Sequence, residues 1–246
     1  MNEPLVRRTD RDGVAIIELH RPHRKNAIVA PLLDELATHV DAASTDDSIE
    51  VVLLCGAGGA FCSGLDLTEH NADPPPAWLP TASTSLKAAH TALGACPQPV
   101  VVALERYAIN GGAAFALAGD LVVAGRESWL QVGEARLGMN APMNLAWLVA
   151  RYPMATVLQI VLPAARLTGP DLLRLGIAHE VVDDDQVRSR AEALAAEIAS
   201  FPAGSARRLK QSALRLARDL PAATTTPEWF DRAAALAPAA APPPRS

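Results

Sequence analysis

Two glycine-bearing segments, FCSGLD at 61–66 and INGGAAF at 109–115, stand where a β-rich run gives way to a helical one. Helix N-termini carry unpaired N–H groups and the positive end of the helix dipole. Two such N–H groups aimed at one point form an oxyanion hole, a backbone device that stabilises an enolate or a tetrahedral oxyanion. The second segment brings no acid or base that completes such chemistry. After Gly111 and Gly112, no side chain able to exchange a proton occurs until Asp120. The alternative is a pair of tight helix–strand crossings that need glycine for packing alone, and on composition alone that alternative is the stronger.

Other glycine-rich chemistries fail on spacing. GAGGAFCSG follows a strand-like run, but Phe61 occupies the third glycine position of the dinucleotide fingerprint. No Lys-Ser/Thr pair follows the last glycine, so the segment is not a phosphate-binding P-loop. Ser63 is flanked wrongly for a GxSxG nucleophile elbow, and neither Ser63 nor Cys62 has an evident His partner.

The elements that must position these segments read as α/β. Asp12-Gly13 is a turn signal between two β-rich runs. Pro31 suits the first turn of a helix over 31–44, with Leu32, Leu33, Leu36 and Val40 at helical spacing. The run 49–56 is short and almost wholly apolar, as a strand buried on both faces requires. A Pro-rich loop over 71–80 carries Trp78, which could cover a ligand. Helix 83–98 and strands at 99–105 and 120–125 follow. Helical patterns then cover 144–152 and 155–176, and a last strand lies at 178–183. From about 184 onward the pattern is helical. We therefore expect a core over 1–183, a helical C-terminal region over 184–236 and a Pro/Ala-rich disordered tail at 237–246.

Composition excludes several classes. The chain has 246 residues and a net charge of −5, which argues against a nucleic-acid surface built on clustered Lys and Arg. No apolar run approaches membrane-spanning length, and the N-terminus lacks the layout of a signal peptide. Three cysteines without a CxxC pair read as reduced thiols of a cytoplasmic protein. The six histidines show no metal-ligand spacing, so no metal is expected.

Taken in order, five segments resemble the enoyl-CoA hydratase/isomerase (crotonase) family over nearly the whole chain. They are IELHRPHRKNAI, GAGGAFCSGLDL, ERYAINGGAAFALAGD, VGEARLGM and ARLTGPDLLRLGIAHEVV. The resemblance implies a spiral of repeated ββα units with a C-terminal helical region used for trimerisation, trimers often pairing into hexamers. It implies an acyl-CoA thioester as substrate and no separate cofactor. Carried over, the oxyanion-hole donors are the N–H groups of Ser63 and Gly111. Coenzyme A contacts fall at Arg24, Lys25, Asn26, Phe61, Ser63, Gly64, Leu65, Asp66 and Gly111, with Arg24 and Lys25 facing the phosphates or simply forming an exposed loop.

Hydratases of this family use two glutamates to hold water and deliver a proton. The position in the helix after the glycine pair is Ala114, whereas Glu134 matches the second glutamate. LGMNAPMNLAWL also lacks the Gly-rich run of hydratases and looks closer to the family's Δ3,Δ2-enoyl-CoA isomerases, which keep one glutamate. Double-bond isomerisation by Glu134 alone is thus the leading expectation. Water addition and non-catalytic acyl-CoA binding stand as alternatives, and hydrolysis or decarboxylation on the same scaffold stays open. Glu134 could instead fill a favourable helical first turn or pair with Arg136. Asp66 and Asp120 are read as structural, Asp66 being the reserve acid, and Glu105 and Glu127 as surface residues. Met139, Met143 and Trp147 are candidates for lining the acyl pocket or for the core.

Overall fold

The computed structural model describes residues 3–219. The expected tail at 237–246 lies outside them. Strands β1 (Val6–Arg11) and β2 (Val14–Leu19) form an antiparallel hairpin turned at Asp12 and Gly13, both with positive φ. Helix α1 (Ala30–Ser44) starts with Pro31 in its first turn, and strand β3 (Val51–Gly56) follows, buried at every residue. After the short helix α2 (Leu67–His70) come α3 (Ala82–Ala95), β4 (Val100–Leu104) and β5 (Tyr107–Ile109). Helix α4 (Gly111–Ala118), β6 (Leu121–Gly125), β7 (Trp129–Gln131) and α5 (Pro142–Arg151) complete the central part. The chain continues through α6 (Met154–Val161), β8 (Leu167–Thr168), α7 (Gly169–Arg174), β9 (Glu180–Val182), α8 (Val187–Ala199) and α9 (Ser205–Asp219).

Six strands form one sheet in the order β1-β2-β3-β4-β6-β9, parallel apart from the first hairpin, and β5-β7-β8 form a second. The chain alternates between them: β4 then β5, β6 then β7, each pair followed by helix. That alternation is a spiral of ββα turns.

Successive side chains of a strand point to opposite faces, and the large sheet shows this directly. Val52, Leu54, Val100, Val102 and Leu104 join a core with α1, α3, α4 and α5. Val51, Leu53, Cys55, Val101, Ala103 and Val123 face the other way, onto Val187, Ala191, Leu194 and Ala195 of α8. The boundary expected at 183/184 therefore separates nothing from the sheet, because α8 seals one of its faces. Helix α9 is tethered by Lys210, whose Nζ donates to Asp120 (2.6 Å) and to the Gln98 carbonyl (2.9 Å).

Two readings change. The helical pattern over 155–176 is broken into α6, β8 and α7, since β8 leaves the helix to pair with β7. A Thr168–Asp171 capping box then starts α7. Glu105, expected at the surface, is half-buried, and desolvation raises its pKa.

Candidate active site

The first glycine-bearing loop is locked at both edges. Cys62 forms a bridge with Ala108 of β5, its N–H donating to Tyr107 and its carbonyl accepting from Ile109 (3.1 Å each). Leu65 forms a parallel bridge with Ile28, in which the Ile28 N–H donates to Gly64 and the Ile28 carbonyl accepts from Asp66. In such a bridge the flanking peptides serve the partner strand, and the N–H of the central residue points to the opposite edge.

That geometry bears on the two expected donors. The Ser63 N–H, expected to meet the ligand, donates instead to the Lys25 carbonyl at 3.1 Å. The Leu65 N–H, directed away from Ile28, finds no acceptor among the described residues. Sequence spacing cannot separate these two amides, because the choice depends on which edge of the loop Ile28 occupies.

Further unpaired N–H groups lie at the start of α4. The helix makes its first internal bond from the Ala114 N–H to the Asn110 carbonyl (3.1 Å), which leaves the N–H groups of Gly111 to Ala113 without an intrahelical partner. Asn110 has φ 51° and ψ −113°, a conformation rare for a residue with a side chain. It is held by its own N–H to Gln131 (2.8 Å) and by its Oδ1, which accepts from the Gly133 N–H (2.8 Å). The two glycine segments touch: a Cβ on Gly64 would lie 2.6 Å from the Ile109 carbonyl oxygen, and one on Gly112 2.6 Å from that of Cys62.

Several expected ligand contacts turn out to be scaffold. Asn26 is fully buried. It accepts from the Arg21 N–H (2.9 Å) and donates to the carbonyls of Ala57 (2.9 Å) and Ala60 (2.8 Å), stapling the loop from inside. Phe61 is fully buried in the core. Asp66 is buried and caps α2 through the Glu69 N–H, while Arg21 and Arg24 each reach its carboxylate at 3.2 Å. These partners outweigh burial and lower its pKa, which suits an anchor and not a reserve acid. Arg24 is thus partly committed to Asp66, whereas Lys25 is exposed. Arg21 also pairs with Glu69 and is itself buried, a contribution that its position in RPHRKNAI does not announce. Cys62 donates to the Asn26 carbonyl (3.1 Å), and burial pushes its thiol up to about 12, which removes it as a nucleophile.

The loss of three hydrogen bonds makes a direct test of this scaffold. Asn26→Ala is expected to cost about 3 kcal/mol, read from the urea midpoint, because it strands buried backbone groups of Arg21, Ala57 and Ala60.

Glu134 sits in a short 3-10 turn (Glu134–Leu137) and is 8% exposed. It does not pair with Arg136, whose guanidinium donates to the carbonyls of Ala164 (3.0 Å) and Pro163 (3.2 Å). Its Oε1 accepts from Asn144 Nδ2 at 2.8 Å, and its Oε2 is buried without a partner among the described residues. Desolvation raises its pKa, and its own N–H and Asn144 act in the opposite direction. Ala114 is fully buried one turn into α4. Met143 and Trp147 are buried, Trp147 donating to Nδ1 of the buried His90 (3.0 Å), while Met139 is largely exposed. Trp78 is half-buried against the main core.

Comparisons with known proteins agree with this architecture. A model of the enoyl-CoA hydratase/isomerase family matches residues 9–228. The chain is 31% identical over 206 residues to 1,2-epoxyphenylacetyl-CoA isomerase of Escherichia coli K12, covering 81% of this chain and 78% of that protein. It is 29% identical to (E)-benzylidenesuccinyl-CoA hydratase of Thauera aromatica, over 85% and 81% of the two chains. Among solved structures, an enoyl-CoA hydratase from Mycobacterium avium subsp. paratuberculosis K-10 superposes with a TM-score of 0.81 at 23% identity, over 95% of this chain and 92% of that one. The chain belongs to the enoyl-CoA hydratase/isomerase family, enzymes acting on acyl-CoA thioesters.

Proposed function

We propose that this enzyme shifts the double bond of a 3-enoyl-CoA to give the 2-enoyl-CoA, with Glu134 as its acid/base. The observation that supports this reading is one buried carboxylate with a free oxygen, where Ala114 stands in place of a second. The Glu134 carboxylate takes the proton from C2. The C–H electron pair becomes a double bond to the thioester carbon, and negative charge moves to the thioester oxygen. The N–H groups of Leu65 and Gly111 are the proposed donors to that oxygen. Protonated Glu134 then delivers its proton to C4, the C2–C3 double bond forms and the thioester carbonyl is restored. One carboxylate suffices because proton loss and proton return occur on the same face, and no water needs activation. A pKa raised by desolvation brings the base closer to the acidity required of a neutral-pH proton shuttle.

A second reading, water addition to a 2-enoyl-CoA, is favoured by the hydratases among the relatives and by Asn144 Oδ1, a second buried acceptor without a partner among the described residues. Incubation of a 3-enoyl-CoA in ¹⁸O-labelled water separates the two. Isomerisation gives a conjugated product without label, absorbing in the near ultraviolet. A 3-enoyl-CoA left unconverted, while a 2-enoyl-CoA supplied in its place in the same water gives a labelled 3-hydroxyacyl-CoA, would overturn the proposal.

A further inference from the structure

Asn144 carries only two amide protons, and both are committed to the proposed machinery. One hydrogen bond runs to Glu134 Oε1 (2.8 Å) and the other to the Asn110 carbonyl oxygen (3.0 Å). That carbonyl belongs to the peptide whose N–H is Gly111. In a trans peptide the C=O and N–H point in opposite directions. Together with the Ala114 N–H, which donates to the same oxygen (3.1 Å), the bond from Asn144 therefore aims the Gly111 N–H away from α5. A carbonyl that accepts hydrogen bonds also polarises its own peptide, which makes the N–H on the other side a stronger donor.

We propose that Asn144 is a positioning residue that couples the two halves of the reaction: a single side-chain amide selects Glu134 Oε2 as the basic oxygen and orients the Gly111 N–H as the oxyanion donor. This rests on the reading of Glu134 and Gly111 given above.

Three further observations support it. Asn144 is 1% exposed and its Oδ1 has no partner among the described residues, so the side chain is held by its donors. Asn110 keeps its unfavourable φ of 51°, a conformation that must be held by its surroundings, and its carbonyl is one of the atoms held. The Asn110 side chain bonds the Gly133 N–H, immediately before Glu134, so the base loop and the start of α4 are tied twice. Burial raises the pKa of Glu134 while the Asn144 hydrogen bond restrains it. Loss of that bond moves the pKa further up.

The test uses Asn144→Leu, of similar volume without donors, and Asn144→Asp, near-isosteric and without a proton to offer when ionised. Three quantities are measured: solvent-deuterium exchange at C2 of butyryl-CoA, the pH dependence of that exchange, and the infrared carbonyl stretch of bound ¹³C-carbonyl butyryl-CoA. We expect exchange to fall about 10²-fold. The acidic limb of the pH profile moves to higher pH, and the bound carbonyl stretch moves back towards its value in water. A slower variant whose pH limb and carbonyl stretch both match the wild type would overturn the coupling and leave Asn144 a packing residue. Asn144→Asp, scored in the same way, decides the matter if Asn144→Leu does not fold. Glu134→Gln is run in parallel. Exchange that survives that substitution sinks the reading of Glu134 itself, whereas exchange lost in Glu134→Gln with unshifted Asn144 variants sinks only the coupling.

Discussion

Glu134→Gln is expected to abolish turnover while making the protein more stable. The amide keeps an acceptor for Asn144 Nδ2 and almost the same shape, so the fold has no reason to change. What disappears is the proposed basic oxygen. One group acting as acid and base in both proton transfers places the loss at about ten-thousand-fold, the top of the range for a single acid–base residue. The stability gain follows from linkage. The folded pKa of Glu134 is raised above its unfolded value by burial. Between those two values the folded protein binds a proton that the unfolded chain has released, so stability falls as pH rises through that window. Above it, the full penalty of a buried carboxylate is present, and Gln removes it. Melting curves at neutral pH should show the variant a few degrees higher, with the gap narrowing as the buffer is taken below the ordinary carboxylate range. In the wild type, kcat/KM should decline with a slope of one proton as pH falls through the raised pKa, because the base is then protonated. A variant that keeps more than a tenth of wild-type turnover, or melts lower at neutral pH, would contradict the assignment.

The fold was legible where local chemistry and periodicity agree. Asp12-Gly13 marks a true hairpin turn, Pro31 a true helix start, and the apolar run ending at Gly56 a strand buried on both faces. It was not legible in the second sheet, whose strands β5, β7 and β8 have three, three and two residues. Segments that short carry no period, and they exist because the neighbouring strand is already in place. The pattern over 155–176 failed for the same reason, since tertiary pairing of Leu167 and Thr168 overrode helical spacing.

The site divides along a similar line. Glu134 and Gly111 stand out by residue type and motif. Asn26 and Phe61 belong to the same motifs, but their side chains point inward, so motif membership identified the loop without identifying its ligand-facing groups. Leu65 is the opposite case. Its proposed role rests on a backbone N–H, which every non-proline residue carries, and only the Ile28 bridge distinguishes it from that of Ser63. Asn144 lay in a run noted for lacking the Gly-rich stretch of hydratases, and nothing in the spacing tells that its amide reaches both Glu134 and Asn110.

The adjacent glycines that open α4 should respond very differently to the same added methyl group. At Gly112 a Cβ would lie 2.6 Å from the Cys62 carbonyl oxygen and 2.9 Å from both Cys62 Cβ and Sγ. The nearest obstacle is backbone that is pinned on both sides by β5, through Tyr107 and Ile109, so it cannot swing aside and the helix must move. At Gly111 the nearest atom would be Ile28 Cδ1 at 3.0 Å, the end of a flexible side chain. Neither glycine has the positive φ that would strain an alanine whatever the space. Gly112→Ala is therefore expected to cost about 3 kcal/mol from overpacking, partly offset by roughly 1 kcal/mol of helix propensity. It should also lower kcat/KM about 10²-fold, because the first loop and the start of α4 carry one proposed oxyanion donor each and a shift of an ångström separates them. Gly111→Ala keeps its N–H and should stay within about 1 kcal/mol of wild type, with less than a tenfold loss of activity. Urea unfolding and steady-state kinetics of the two variants side by side make the comparison. Equal damage at both positions would mean that the packing of Gly112 against Cys62 does not hold the two donors in register, and the oxyanion assignment would then have to be rebuilt on other amides.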